Sequence, residues 1–173
     1  MNADDVRDFT SPLYRDFYLP INYVTSMNPN FNDTTVQHWL LAGISGINLE
    51  LNLESVTDWY LLNKQVTGFY RVNYDLENWN ALIKFMNHET NHKVINVANR
   101  AQLVDDAANL AKAGQLDYDI FLDLSAYLQY ENDFIPWASA VNAFSHLNHI
   151  MRGSSEAGRI DVNNEIFINN FIY

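Results

Sequence analysis

The sequence predicts an α+β protein in two segregated parts. Residues 1–75 are expected to form a partial antiparallel β-sandwich, and residues 76–173 an α-helical array of stacked helix pairs, similar to HEAT or armadillo repeats. Before Asp75, short aromatic and β-branched runs alternate with turn-forming segments, which is typical of strands. After Asp75, apolar residues recur three and four positions apart, which is typical of amphipathic helices. Hydrophobic residues make up 48% of the chain, enough for a folded core.

The first part contains five segments with the composition of short strands: 17–24, 36–40, 47–53, 59–63 and 69–74. Turn-forming residues separate them, as at 26–30. In 47–53 every second residue is Ile or Leu, with Asn or Glu between them, and this alternation predicts a half-buried strand. Short strands with brief connections are typical of an antiparallel sheet or of part of a sandwich.

The second part contains helical apolar stripes over 79–86, 97–111, 120–128 and 137–151, with a last helix at about 161–173. Gly114 is the expected C-terminal stop of the second helix, and Pro136 is expected in the first turn of the fourth. Antiparallel helices with short loops stack as pairs. Because a terminal repeat normally has a polar outer face, the apolar final residues predict that the array continues further.

The composition excludes several classes of function. The chain has 10 Lys and Arg residues and 21 Asp and Glu residues, for a net charge of -11. A surface this acidic repels phosphate backbones, so nucleic acid is not an expected partner. The absence of cysteine excludes disulfides, cysteine–zinc sites and thiol catalysis. No apolar run is long enough to span a bilayer, so direct membrane insertion is not expected.

Asn32, Asp33 and Thr34 form the one Asn-x-Ser/Thr glycosylation motif of the chain. The motif matters only in a chain that passes through the secretory pathway. A chance match is the default interpretation of so short a motif, and the sequence alone assigns it no function.

Two long motifs carry a family resemblance. The first is WYLLN at 59–63 followed by TGFYRVNYD at 67–75, and the second is NRAQLVDDA at 99–107. In this order they resemble the aminopeptidase N family of zinc metallopeptidases, most like its insect membrane alanyl members. Residues 17–26 and the pair Pro136-Trp137 fit the same family. The resemblance therefore covers nearly the whole chain.

The resemblance implies a parent enzyme with four domains. Three of them are a thermolysin-like catalytic domain, the small β-sandwich that follows it, and a large helical C-terminal domain. This chain is similar to the end of the sandwich plus the first helices of the last domain. The family's zinc and exopeptidase motifs lie upstream, so no catalytic residue and no cofactor is expected here, and zinc belongs to the parent. The sandwich strands expected before Phe17 are missing, which predicts an exposed sheet edge.

The segment from His88 to His92 spells H-E-x-x-H, a zinc-peptidase motif in which two histidines on one helical face ligate the metal. The resemblance, however, places this segment in the wrong domain. The family's third ligand is a Glu that follows soon after, whereas the next Glu here is Glu131. Asn87, Thr90 and Asn91 also favour turns over a helix interior. No metal site is therefore predicted, and His88 and His92 remain the alternative ligands.

The resemblance singles out Arg100 as the candidate substrate-binding residue. The family's C-terminal domain closes over the catalytic cavity, where a basic side chain can meet a peptide carboxylate. The competing interpretation pairs Arg100 with Asp75, Asp105 or Asp106. Arg71 lies among aromatic residues and is expected to pack its stem against them.

The sequence leaves two main hypotheses for function. The first is a non-catalytic C-terminal fragment of a zinc aminopeptidase that helps to wall a peptide cavity. Its expected partner is the upstream catalytic domain, and peptides are a second expected partner. The resemblance suggests a parent that is membrane-bound or passes through the secretory pathway. The second is a stand-alone helical module that binds peptides or proteins without catalysis. A third, an independent zinc peptidase built on His88 and His92, is disfavoured by the motif's context.

Overall fold

The computed structural model of the chain describes residues 18–42 and 46–151. These residues form four short strands, β1 Leu19–Ile21, β2 Tyr23–Thr25, β3 His38–Leu40 and β4 Tyr60–Leu62. They also form four α-helices, α1 Leu76–Met86, α2 Val97–Lys112, α3 Tyr118–Ser125 and α4 Phe134–Met151. Short 3₁₀ segments lie at Lys64–Val66, Asn91–Val94 and Ala126–Tyr130. The order of strands before helices confirms the α+β class.

The strands form two antiparallel pairs. β1 pairs with β3, with Leu19 opposite Leu40, and β2 pairs with β4, with Tyr23 opposite Leu62. The segment 17–24 was expected to be one strand, but Asn22 divides it. The buried Asn22 amide donates to the Thr34 carbonyl at 2.8 Å and accepts from the Lys64 backbone N–H at 2.7 Å. The partial sandwich expected for residues 1–75 stays a prediction.

Two of the predicted strands are wrong. Residues 47–53 form no ladder with any described residue, and Ile47 and Leu53 at its ends are 36% and 38% exposed. Alternation of apolar residues predicts a half-buried face, but a strand also needs a hydrogen-bonded neighbour. Residues 69–74 are held by side chains instead of by a neighbouring strand. The Val72 N–H donates to the Asp106 carboxylate at 3.0 Å, and the Tyr70 hydroxyl donates to the Pro20 carbonyl at 2.9 Å.

The helices follow the predicted apolar stripes. Trp79, Leu82 and Met86 of α1 are fully buried, and the Asp75 carboxylate caps this helix by accepting from the Asn78 N–H at 2.7 Å. α2 ends at Lys112, and the predicted stop Gly114 follows two residues later with a φ of 70°, which is favourable for glycine. Pro136 lies in the first turn of α4, as predicted. The helix predicted at about 161–173 lies outside the described residues.

One cluster of buried side chains extends across position 75. The Trp59 ring, just before β4, lies 5.1 Å from the Phe85 ring of α1, and the Tyr74 ring lies 5.1 Å from Trp79. Farther along the chain, α2 packs against both α3 and α4. The division at 75/76 and the repeat-like stacking of the helices stay predictions. The shared core places the segment before α1 directly against α2.

Candidate functional site

The H-E-x-x-H segment lies just beyond α1 and not inside an α-helix. α1 ends at Met86, and the Asn87 amide donates to the Asp123 carbonyl at 2.9 Å. His88 is exposed, whereas His92 lies on the following 3₁₀ segment and is fully buried against the Tyr127 ring, 5.9 Å away. The two imidazoles therefore do not share the helical face that zinc ligation needs.

The donor set of this segment does not fit a zinc site. Among residues 18–42 and 46–151, no three His, Asp or Glu side chains come together where they could hold one ion. Within the described residues, the two ring nitrogens of His92 have no hydrogen-bond partner and the ring lies against Tyr127, while His88 Nδ1 lies 3.5 Å from Thr90 Oγ1. No step of zinc chemistry is therefore assigned to these residues.

Arg100 lies on α2 and is only 4% exposed. Its Nε donates to Glu131 Oε2 at 2.6 Å, and its Nη2 donates to Glu131 Oε1 at 3.1 Å. The same Nη2 also contacts Asp133 Oδ2 at 2.6 Å, and Nη1 donates to the Ile95 carbonyl at 2.7 Å. This bidentate arrangement is the stronger form of an arginine–carboxylate pair. We call Arg100, Glu131 and Asp133 the buried arginine cluster.

The pairing expected for Arg100 from the sequence is wrong, because its partners are Glu131 and Asp133 and not Asp75, Asp105 or Asp106. Burial alone would raise the pKa of Glu131, but hydrogen bonds from Arg100 and from the Asp133 N–H outweigh it and lower the pKa. Glu131 is therefore held as a carboxylate. A contact between Arg100 and a peptide carboxylate stays a prediction.

A second charged cluster lies where residues 69–74 meet α2. Arg71 Nη1 pairs with Asp105 and with Asp106 Oδ1, the latter at 3.0 Å. Arg71 and Asp105 side chains are 48% and 47% exposed, whereas that of Asp106 is 6% exposed. Burial raises the pKa of Asp106 to about 6, although the Val72 N–H and Arg71 oppose this shift. We call Arg71, Asp105 and Asp106 the junction cluster.

The loop before this cluster has an unusual backbone. Asn63, Gln65 and Val66 have φ values of 64°, 52° and 56°. A left-handed conformation is costly for a β-branched residue such as Val66, on the order of 1–3 kcal/mol. Asn63 holds the loop closed, since its amide donates to the Gly68 carbonyl at 2.9 Å and accepts from the Gly68 N–H at 2.7 Å. A Cβ on Gly68 would overlap the Tyr70 ring, so a side chain at this position would require that ring to shift.

This loop forms one wall of a groove of about 480 Å³, and α2 and the start of α4 form the other walls. We call it the junction groove; its lining includes Val66, Phe69, Arg71, Ala98, Asp105 and Ile135. Phe69 is fully exposed at 108%, and Ile135 is 53% exposed. Both side chains therefore leave apolar surface in contact with solvent. The sequence did not reveal this groove, because its walls come from segments far apart in the chain. The strand predicted at 69–74 also gave no indication that the Phe69 side chain is exposed.

Comparisons with known proteins identify the region to which the chain corresponds. A family model described as an ERAP1-like C-terminal domain matches residues 59–164. Aminopeptidase N of Plutella xylostella is 47% identical over 137 residues, which are 79% of this chain and 14% of the relative. Membrane alanyl aminopeptidase of Heliothis virescens is 32% identical over 148 residues, 85% of this chain and 14% of the relative.

A vertebrate relative shows the same partial match. The thyrotropin-releasing hormone-degrading ectoenzyme of Mus musculus is 46% identical over 93 residues, 54% of this chain and 8% of the relative. The chain thus spans a small part of the length of each of these relatives. In the part of the chain that the structure describes, no helix is long and apolar enough to cross a membrane.

Proposed function

We propose that this chain is a non-catalytic piece of a zinc aminopeptidase. The premise is that the chain belongs to the aminopeptidase N family of zinc metallopeptidases and corresponds to its C-terminal part. Its role is to wall the peptide cavity formed with the upstream catalytic domain. The parent enzyme removes N-terminal amino acids from peptides, and its zinc lies in that upstream domain. The parent is membrane-bound or secreted, in keeping with relatives named as membrane aminopeptidases and as an ectoenzyme.

The junction groove is the observation that carries this proposal. Phe69 at its rim is fully exposed, and Val66 beside it is held in a left-handed conformation. Exposed apolar surface and backbone strain both have a cost in free energy, and both are typical of interaction sites. The occupant we propose is the upstream domain, because the P. xylostella relative has most of its length outside the region that this chain matches.

The position of the groove also supports a role beside a peptide cavity. It is formed jointly by the loop before α1 and by the helices, so a domain docked there would contact both parts of the chain. We further propose that upstream strands complete the two small sheets into a sandwich, and that α1 to α4 begin a repeat-like helical array. The apolar side chains left partly exposed in 47–53 would then lie under those added strands.

We propose that Arg100 binds a peptide carboxylate in the place of its partner Asp133. The Asp133 side chain is 58% exposed, whereas Glu131 is 1% exposed. A peptide carboxylate would therefore replace Asp133 on Arg100 Nη2 and leave the pair with Glu131 intact. Such an exchange conserves the charge balance around the buried guanidinium, which would otherwise be costly to change.

The proposal is tested in a chimera of the P. xylostella aminopeptidase N in which this chain replaces the segment it matches. The chimera is expected to hydrolyse amino-acid anilides, whereas the chain alone is expected to be inactive. Phe69→Ser in the chimera is expected to lower activity and to release the C-terminal part after limited proteolysis. Val56→Ser is the matched control, since Val56 is 95% exposed but lies outside the groove.

The outcomes separate the two hypotheses. Hydrolysis by the chain alone would refute a non-catalytic role. Equal behaviour of the Phe69 and Val56 variants would show that the junction groove is not the docking surface. If the groove instead binds free peptides saturably in the isolated chain, and Phe69→Ser removes that binding, the stand-alone binding module is the better interpretation.

A further inference from the structure

We propose that Asn32 is the acceptor of an N-linked oligosaccharide, on a loop that the fold keeps in solvent. Asn32 lies in the connection between β2 and β3 and is followed by Asp33 and Thr34, which completes an Asn-x-Thr motif. From the sequence alone this motif was assigned no function, because so short a pattern occurs by chance. The structure adds two observations: the Asn32 side chain is exposed, and contacts of neighbouring residues fix the loop.

The side chain of Asn32 is exposed and forms no hydrogen bond with any described residue. Other asparagines of the chain are used differently. Asn22, Asn63 and Asn99 are 3%, 0% and 0% exposed, and each amide donates to a backbone carbonyl. A glycan on one of these amides would break those hydrogen bonds, whereas the Asn32 side-chain amide makes none within residues 18–42 and 46–151.

The loop around Asn32 is fixed by its neighbours. Phe31 is 6% exposed, and its carbonyl accepts from Gln65 Nε2 at 2.9 Å. The Thr34 carbonyl accepts from the Asn22 amide at 2.8 Å. The chain is therefore anchored on both sides of Asn32 by contacts that do not involve its side chain. An oligosaccharide attached before folding would remain in solvent once the loop is formed.

The modification is the transfer of an oligosaccharide to the Asn32 amide. The donor is an oligosaccharide carried on a lipid pyrophosphate, and the transferase recognises the Thr34 hydroxyl. A bond forms between Asn32 Nδ2 and the anomeric carbon, and the bond between that carbon and the pyrophosphate oxygen breaks. The lipid pyrophosphate leaves with the electron pair, and the amide proton passes to a base of the transferase.

This inference rests on one part of the proposed function, the passage of the parent through the secretory pathway. Its test is made independent of that passage by a foreign, cleavable secretion leader fused to the full chain. The fusion is translated with endoplasmic-reticulum microsomes, and only the protease-protected fraction is analysed. The readout is a change in mobility that an endoglycosidase reverses.

Wild type, Asn30→Gln and Thr34→Ser are expected to carry one glycan, and Asn32→Gln and Thr34→Ala none. Asn30 is the matched control, because it lies in the same loop but outside the motif. His88→Asn creates a second Asn-x-Thr motif on another exposed segment and is expected to carry two glycans. A protected wild-type chain without a glycan would overturn the proposal, whatever the chimera shows about docking.

The claim about the loop has a separate test. The glycosylated chain secreted from cells is expected to unfold at the same urea concentration as Asn32→Gln. A lower midpoint for the glycosylated chain would show that the glycan strains the loop and would overturn the claim that the fold presents this site to solvent.

Discussion

The two charged clusters of this protein use the same chemistry in different surroundings. In each, an arginine meets two carboxylates: Arg100 of α2 with Glu131 and Asp133, and Arg71 with Asp105 and Asp106 of α2. The Arg100 side chain is 5% exposed, but that of Arg71 is 48% exposed. Charges in a buried pair cannot regain water when a partner is lost, whereas charges in an exposed pair can.

This difference assigns the two clusters different roles. The buried arginine cluster fixes the segment before α4 against α2, inside the helical part. The junction cluster fixes residues 69–74 against α2, beside the junction groove. Because Asp106 is the one buried member of the junction cluster, its protonation changes that contact at mildly acidic pH. The first cluster is therefore expected to be rigid and the second to be tunable.

The largest effect is expected from Arg100→Met. Removal of the guanidinium leaves Glu131 buried and unpaired, and breaking a buried ion pair in this way costs about 3–5 kcal/mol. The free energy of unfolding, measured by urea titration with circular dichroism, is expected to fall by this amount. The double variant Arg100→Met, Glu131→Leu is the control, and it is expected to recover much of the loss because no charge stays buried. A loss below about 1 kcal/mol in the single variant would show that the cluster behaves like a surface pair.

An intermediate effect, dependent on pH, is expected from Asp106. Its pKa is raised from 3.8 to about 6 in the folded protein, so the folded state binds more protons than the unfolded state between these values. The contribution of Asp106 to the free energy of unfolding therefore decreases as pH rises through this window and is constant above it. In Asp106→Asn this dependence is lost, a difference on the order of 1–3 kcal/mol between the two ends of the window.

The measurement is the free energy of unfolding of wild type and variant at a series of pH values. Asp105→Asn is the matched control, because Asp105 is adjacent and pairs with the same arginine but its side chain is 47% exposed. If wild type and Asp106→Asn show parallel profiles across the window, the Asp106 carboxyl is not buried as the structure describes.

The smallest effect is expected from Arg71→Ala. Exposed ion pairs contribute less than about 1 kcal/mol and are weakened by salt. The variant is expected to lose stability within this limit at low ionic strength, with less loss at high ionic strength. Since Arg71 lowers the pKa of Asp106, its removal should also move the pH window of Asp106 upward. A loss as large as that of Arg100→Met would remove the distinction between the two clusters.

The helical half could be predicted in detail because its determinants are local. The stripe from Trp79 to Met86 and the stop at Gly114 depend on residues within a few positions of each other. The strand half was predicted less well. At 69–74 an aromatic, strand-like composition is combined with hydrogen bonds to α2, whose residues lie 34 positions away. Composition cannot show which partner a backbone N–H will find.

The candidate sites show the same limit. The sequence singled out Arg100 but proposed the wrong carboxylates, since Glu131 lies 31 positions downstream. It also presented His88 and His92 as a possible pair. In the structure His88 lies in the turn after α1, and His92 lies on the 3₁₀ segment that follows this turn. The junction groove had no signal in the sequence, because Phe69 and Ile135 line the same groove only after the chain has folded.

The sequence by itself determined the order of strands and helices, the exclusion of thiol chemistry, and the family, since these depend on composition, local periodicity and long motifs. Only the tertiary structure decided which charges are buried together, which strand-like segments find a ladder, and which asparagine amide stays in solvent. These depend on contacts between distant segments, whose energies are set by burial and geometry that no local pattern encodes.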